Sequence, residues 1–434
     1  MTSVETLGAL ERRLNASIPQ HQLRGEVEAR LMRLGRTAKV RGFRPGKIPL
    51  KVLEQQYGAQ VHQEVLGEAL QRSFAEAAQA NSLKVAGRPD FEIKDTDPAA
   101  GDIEFSATFE IYPEVILGNI AGEKIERVTY TLTDNDVDQT IATLQKQRAV
   151  YERCDRVAQN EDQVRIDFSG TLNGEKFEGG EGKDVAVVLG SRRMLPEFEN
   201  AILGMAAGQT KSFDMTFPED YHGKNVAGKK VSFAVTVHAV EAPQIPPVDS
   251  NFAKALGVED GDVSKLRSEI RNNLAREIER RLKVRNKNNA MDVLLRICPL
   301  DVPKALLDFE ARNIMQQTLQ EMKERGVKIP PGMSLPPDLF TERAEKRVKL
   351  GLIAGELVKQ QNLNPKPDQI KAVLREYAQA FDHPEDVIKW HYSDPERLQT
   401  VENLAQEDNV VEWVFSAAQV SNKAMDFNEL MEKN

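Results

Sequence analysis

The sequence predicts a multidomain α+β protein: an α/β N-terminal domain, a mostly β middle domain, and an all-α C-terminal domain with extended arms. Three observations carry this. The chain has 434 residues, more than one small core accommodates. Helical 3–4 spacing beside strand alternation gives way near residue 150 to short alternating runs rich in glycine. After Pro243, Pro246 and Pro247 the pattern becomes long, charged and helical. These changes divide the chain into 1–112, a linker with a helix at 113–149, a domain at 150–243, and a helical region at 244–434.

Element by element, residues 4–16 read as a strand, and a helix is expected from about Ile18 to Lys39 on Leu23, Val27, Leu31 and Leu34. Gly42 to Pro49 interrupts it. A helix then starts near Pro49 with Val52, Leu53, Tyr57 and Val61, and another runs from Val65 to Ala78. Phe91–Ile93 and the alternating Ile103, Phe105, Ala107 and Phe109 read as strands. Val128 to Leu132 reads as extended, and Asp134 as the cap of a helix over 135–148. In the middle domain Val164–Phe168 alternates, Ser169-Gly170 is expected to turn the chain, and Gly174 sits at a hairpin. Strands follow at 185–189, 210–215 and 231–240, with a short helix over 195–202 ended by Gly204. Beyond the prolines, helices are expected at 263–298, 303–325, 339–361, 367–382, 384–392 and 395–417. The proline-rich segment 326–338 reads as an arm tip or a brace between helices. Met291, Met315, Met322, Met333 and Leu335 read as a soft surface.

Charged residues make up 29% of the chain and the net charge is −9, which argues against a general nucleic-acid binder. No run of 18 apolar residues occurs, so no membrane span is expected, and residues 1–11 lack the pattern of a secretory signal. Cys154 and Cys298 have no metal spacing, and the six histidines form no HExxH. Neither a metal nor another cofactor is expected. No GxxxxGK[ST] loop is present. Against this acidic background, residues 24–51 hold nine Lys or Arg with only Glu26 and Glu28, a local +7. The cations flank Gly42-Phe43-Arg44-Pro45-Gly46-Lys47-Ile48-Pro49, where Phe43 has no obvious core to join. A cationic tip on an acidic protein can meet a polyanion without adhering to polyanions elsewhere.

Together these segments resemble the bacterial trigger factor family, whose members combine a ribosome-docking domain, an FKBP-type peptidyl-prolyl isomerase domain and a helical chaperone domain. The resemblance spans nearly the whole chain. It is carried by the 42–49 loop, Gln55-Gln56-Tyr57-Gly58, Val65-Leu66-Gly67, Phe109 to Glu114, and Phe427-Asn428-Glu429-Leu430-Met431. In the middle domain it rests on Val164 to Gly170, Phe177-Glu178-Gly179-Gly180 and Phe217 to His222. Pro45 departs from the lysine of many members.

The resemblance implies an ATP-independent, cytoplasmic chaperone and X–Pro isomerase, partly ribosome-associated and connected with protein export. The implied partners are the large ribosomal subunit near the tunnel exit, through ribosomal protein and RNA, and nascent and unfolded polypeptides, with a weak homodimer off the ribosome. It assigns docking to Gly42, Phe43, Arg44, Pro45, Gly46, Lys47, Ile48 and Pro49. It assigns catalysis to Phe168, Phe177, Glu178, Val185, Met194, Leu195, Phe198, Tyr221 and Phe233, with Phe198 as the floor and a Leu195 N–H offered to a substrate carbonyl. Glu178 stands where these isomerases usually carry aspartate, and Val185 where they carry phenylalanine.

Overall fold

The computed structural model describes residues 2–40, 43, 46–94, 102–221, 223–327, 335–379, 381 and 383–432. It divides into two compact units: Met1–Val128 with Lys283–Lys423, and Thr129–Leu282 with Ala424–Asn434.

In the first unit β1 (Ser3–Thr6) and β2 (Glu11–Pro19) precede α1 (Gln20–Leu34), α2 (Leu50–Ala80), β3 (Val85–Ile93) and β4 (Asp102–Ile111). The strands form an antiparallel sheet of order β1-β2-β4-β3. Alternation puts Leu14, Ala16 and Ile18 of β2 and Phe105, Ala107 and Phe109 of β4 into the core. From α2, Val61, Val65 and Phe74 meet them, Phe74 edge-on to Phe109 at 4.9 Å.

Three sequence expectations change here. The strand expected over 4–16 is two strands with a turn between. The first helix stops at Leu34, short of Lys39, and Gly35 after it lies against α2, where an added Cβ would sit 2.7 Å from Leu53 Cδ1. The two helices expected after Pro49 are one, since burial of a continuous stripe from Leu53 to Ala78 overrides the cost of Gly58 and Gly67.

The first unit continues with β5 (Lys124–Thr129), which ends before the extended run expected to reach Leu132. Second-unit elements follow: α3 (Asp134–Gln147), β6 (Val150–Arg153), β7 (Gln163–Leu172), β8 (Glu175–Val188), α4 (Pro196–Ile202), β9 (Thr210–Thr216), β10 (Lys230–Gln244) and α5 (Ser250–Ala255). The division between units falls within α6 (Val263–Ile297). Then come α7 (Lys304–Glu324), α8 (Thr341–Gln361), α9 (Pro367–Ala378), α10 (Pro384–Tyr392), α11 (Pro395–Ala417), β11 (Gln419–Ala424), which pairs with β5, and α12 (Phe427–Met431).

Helical packing in the first unit buries Met291, Leu294, Ile353, Leu357, Val410 and Val414 together, so Met291 belongs to the core and not to a soft surface. A smaller cluster joins α7 and α8 through Ala311, Ile314, Phe340 and Ala344. Met333 and most of the proline-rich segment lie outside the described residues. Among the described residues no helix is long and apolar enough to cross a membrane.

In the second unit α3 is capped at Thr133 rather than Asp134. The Asp136 carboxylate reaches back to accept from the Thr133 N–H (2.7 Å) and hydroxyl (2.8 Å). Burial works against the Asp136 charge, but these bonds and one from the Tyr130 hydroxyl outweigh it and hold the carboxyl below its usual range. Val137 and Ile141 of α3 pack with Phe252, Leu266, Ile270 and Leu274, joined by Phe427 and Met431.

The rest of this unit is an antiparallel sheet of order β6-β10-β7-β8, with β9 also on β10. Pro243, expected in a hinge, lies inside β10 opposite Tyr151. Buried Val231, Phe233, Val235 and Val237 alternate along β10, and an irregularity after Val237 keeps Val240 inside as well.

Candidate functional site

Strand β7 does not turn at Ser169-Gly170 but runs on to Leu172, and the hairpin is made by Asn173 and Gly174, both with positive φ. The glycine at 170 has a packing reason. It lies opposite Phe233 in register, and an added Cβ would sit 2.6 Å from the Phe233 ring and 2.9 Å from that of Phe177. Gly182 does the same beneath Phe168, where an added Cβ would lie 2.4 Å from the ring. These glycines let aromatic rings lie flat across the sheet and open a concavity.

That concavity is a cavity of about 820 Å³. Phe168 comes from β7, Phe177 from β8, Met194 and Leu195 from the loop before α4, Phe198 from α4, and Phe233 from β10, with Tyr221 from the loop after β9. Phe198 is buried and central: its ring meets Phe233 at 5.3 Å and 84° and Phe168 at 5.7 Å and 80°. Phe177 stands edge-on to Phe233 at 6.3 Å. Edge-to-face contacts of this kind hold ring orientations as well as burying area.

The structure thus brings together seven of the nine residues assigned to catalysis. Val185 is not in the lining: it pairs opposite Ile166 and packs on the domain core. The Glu178 side chain lies outside the described residues. The sequence reading missed Met215, Phe217 and Val226, and the polar rim of Arg192, Arg193 and Asn225. Phe217 had a signal: it opens the Phe-Pro turn that leads to Tyr221, whose ring it meets at 4.7 Å. The arginines had none, because only the folded loop turns them toward the mouth.

The loop 190–195 is held from below. Glu199 of α4 is buried, and its carboxylate accepts from the Gly190 N–H at 2.9 Å and the Met194 N–H at 3.2 Å. Leu195 is extended at the start of α4, and its N–H donates to no acceptor among the described residues. Behind the loop, buried Asp162 accepts two bonds from Arg156 and one from the Gln159 N–H, and its own backbone pairs with Leu189.

Strand alternation sends Phe168 inward and Asp167 outward. There the Asp184 N–H and His238 hold the Asp167 carboxyl below its usual range, away from the cavity lining. Among its described lining residues the cavity has no carboxylate, histidine or cysteine. It can desolvate and shape a bound group.

The loop 42–49 belongs to the first unit. Gly42, Arg44 and Pro45 lie outside the described residues. Phe43 is exposed, and its N–H donates to the Val40 carbonyl. Gly46 takes a positive φ of 80° and donates to the Gly35 carbonyl at 2.9 Å, closing the turn. Ile48 packs on the core and Pro49 starts α2, so these two anchor the loop while Phe43 and Lys47 face outward.

An antiparallel sheet, one short helix against it and an aromatic cavity define an FKBP-type isomerase domain. Residues 154–238 match the family model of the FKBP-type peptidyl-prolyl cis-trans isomerases. Residues 1–144 match that of the bacterial trigger factor protein, and residues 262–416 that of its C-terminus. The trigger factor of Laribacter hongkongensis is 50% identical over 429 residues, covering 99% of this chain and 98% of its own. Those of Nitrosospira multiformis (49% over 431 residues) and Aromatoleum aromaticum (46% over 430 residues) each align over 99% of both chains. The chain belongs to the bacterial trigger factor family, and with it goes the combination of chaperone and peptidyl-prolyl isomerase.

Proposed function

We propose that the chain docks on the large ribosomal subunit beside the tunnel exit, shields newly made polypeptides in an open state, and isomerises their X–Pro bonds in the cavity around Phe198. The observation that carries docking is the loop itself. Phe43 and Lys47 are exposed on a turn pinned by Gly46 and Ile48, within the cationic stretch of an acidic chain. An exposed phenylalanine can enter an apolar notch or stack on a base, and the flanking cations meet phosphate. Arg44 would add a planar guanidinium suited to paired hydrogen bonds with phosphate or carboxylate. Residues 1–112 serve as the docking domain, 150–243 as the isomerase, and 244–434 as the client-holding region. Holding and release follow binding equilibria without ATP.

For catalysis, the barrier to rotation about the amide is about 18–20 kcal/mol and arises from its partial double bond. The twisted amide carries less charge separation than the planar one. A cavity walled by the apolar rings of Phe168, Phe177, Phe198 and Phe233 therefore favours it relative to water. The Leu195 N–H orients the substrate by donating to one of its carbonyls, and Tyr221 lines the same cavity.

The decisive experiment is ribosome co-sedimentation of the full chain against Phe43→Ala/Arg44→Ala/Lys47→Ala. Loss of the ribosome-bound fraction with isomerase activity retained is expected. Undiminished co-sedimentation would sink the docking assignment. For the cavity, Tyr221→Ala should slow a proline-limited refolding reaction, and an unchanged rate would remove Tyr221 from the site.

A further inference from the structure

Leu195 lines the isomerase cavity, and its N–H donates to no acceptor among the described residues. That N–H belongs to the peptide joining Met194 to Leu195, and both neighbouring peptides are tied down. After it, the Leu195 carbonyl accepts from the Phe198 N–H at 2.9 Å and the Glu199 N–H at 3.1 Å at the start of α4. Before it, the Met194 N–H donates to the Glu199 carboxylate at 3.2 Å, and the other carboxylate oxygen takes the Gly190 N–H at 2.9 Å. Each peptide is a rigid plane. A plane held between two fixed neighbours keeps little freedom, so Glu199 helps to set where the Leu195 N–H points. The loop needs this grip: Gly190 and Arg192 have positive φ of 84° and 57°, and a side-chain-bearing residue takes such a φ only when its surroundings impose it. Glu199 is 4% exposed, whereas Glu197, two residues earlier on the same helix, is exposed. Burying a carboxylate opposes folding unless its hydrogen bonds compensate, and here those bonds run to the loop that carries Met194 and Leu195.

We propose that Glu199 is a positioning residue of the isomerase, presetting the Leu195 N–H for a carbonyl of the bound X–Pro segment. This rests on the cavity around Phe198 being the isomerase site. Glu199 is not in the cavity lining, so it acts through the loop and not on the rotating amide. The bond it prepares is made to planar and twisted substrate alike. Its loss therefore weakens binding and leaves the barrier between the bound forms in place.

The test uses the full chain and a short proline peptide, with kcat and KM measured separately. Glu199→Gln keeps the size of the side chain but leaves one acceptor oxygen for two N–H donors. KM is expected to rise about fivefold, as for the loss of one ordinary hydrogen bond, with kcat within about twofold of wild type. Glu197→Gln makes the same change of charge at an exposed site on α4 and should alter neither constant. An unchanged KM for Glu199→Gln overturns the proposal. So does a fall in kcat at unchanged KM, which would place the effect on the ring walls, and so does an equal rise in KM from Glu197→Gln. Amide hydrogen exchange of the wild type needs no variant to fold. The Gly190 and Met194 amides should be protected with or without peptide, and the Leu195 amide only with peptide bound. A Met194 amide that exchanges as fast as that of Leu195 in the free protein overturns the proposal. Tyr221→Ala, measured alongside, keeps the two readings apart. Activity unchanged in both Tyr221→Ala and Glu199→Gln would overturn the cavity as the isomerase site. Activity lost in Tyr221→Ala but unchanged in Glu199→Gln overturns the positioning role alone.

Discussion

The isomerase cavity and the helical region from α7 to α11 use apolar side chains in opposite ways. In the cavity, rings from residue 168 to residue 233 converge on one concavity, and glycines at 170 and 182 make room for them. In the helical region several large apolar side chains stay outside, Tyr377 beside Phe381 at 5.4 Å. Phe309, Leu339, Tyr377, Phe381 and Trp390 are each between 46% and 69% exposed. A groove of about 950 Å³ among α6, α8 and α11 has glycines at 351 and 355 facing open space. A convergent site selects one small group by shape. A dispersed surface offers many weak contacts and suits chains of many sequences, as a chaperone requires.

Substitutions test this contrast, and the largest effect is expected at Phe198. Phe198→Ala should cost the isomerase domain about 3–5 kcal/mol in denaturant unfolding, since it removes the ring on which three others lean. Trp390→Ala, at an exposed site, should stay within about 0.5 kcal/mol. Comparable costs for the two would break the distinction.

Gly170→Ala should follow, because its methyl cannot fit beneath Phe233. Overpacking of about 1–3 kcal/mol is expected. With the rings displaced, kcat/KM should fall by up to about a hundredfold. An unaffected rate would mean that ring placement does not govern the reaction.

The Tyr130–Asp136 contact adds a polar counterpart to both regions. Burial first, then the bond to Asp136, pushes the Tyr130 hydroxyl up to about 12. Its unfolded value is about 10. The native state therefore holds the proton more tightly, and this stability is complete below about pH 10 and lost as pH rises through about 12. Thermal unfolding of Tyr130→Phe should show a shallower alkaline decline than wild type. Parallel curves would mean that the hydroxyl does not titrate differently on unfolding.

The smallest effect is expected of Gly351→Ala. Nothing lies within 4 Å of the added methyl, so the helix should gain up to about 1 kcal/mol. Destabilisation there would show that the groove is tighter than its geometry indicates. The same glycine-to-alanine change thus has opposite signs in the two regions.

Helices α9, α10 and α11 were legible because proline opens each and apolar spacing fills them. The alternation of β10 was legible from Val231 to Val240, and the resemblance located seven cavity residues before their geometry was known. Gly170 misled by looking like a turn, and the stretch from Pro49 to Ala78 read as two helices where one runs across Gly58 and Gly67. Their local cost is real, but burial of Phe233 over one and of the Leu53–Ala78 stripe beside the others is larger. Strand β11 and its partner β5 could not be paired from sequence, since nearly 300 residues separate them and β11 is wholly exposed.

By itself the sequence determined the order of the domains, the helical periods, the strand faces and the cationic loop, because each depends on neighbours within a few residues. The tertiary structure alone decided which rings share a cavity, that Val185 does not, and that Arg192 and Arg193 stand at its mouth. Those facts depend on strand register and on a buried Glu199 carboxylate gripping two backbone N–H groups. Register and burial are set by contacts between distant segments, and no local pattern encodes them.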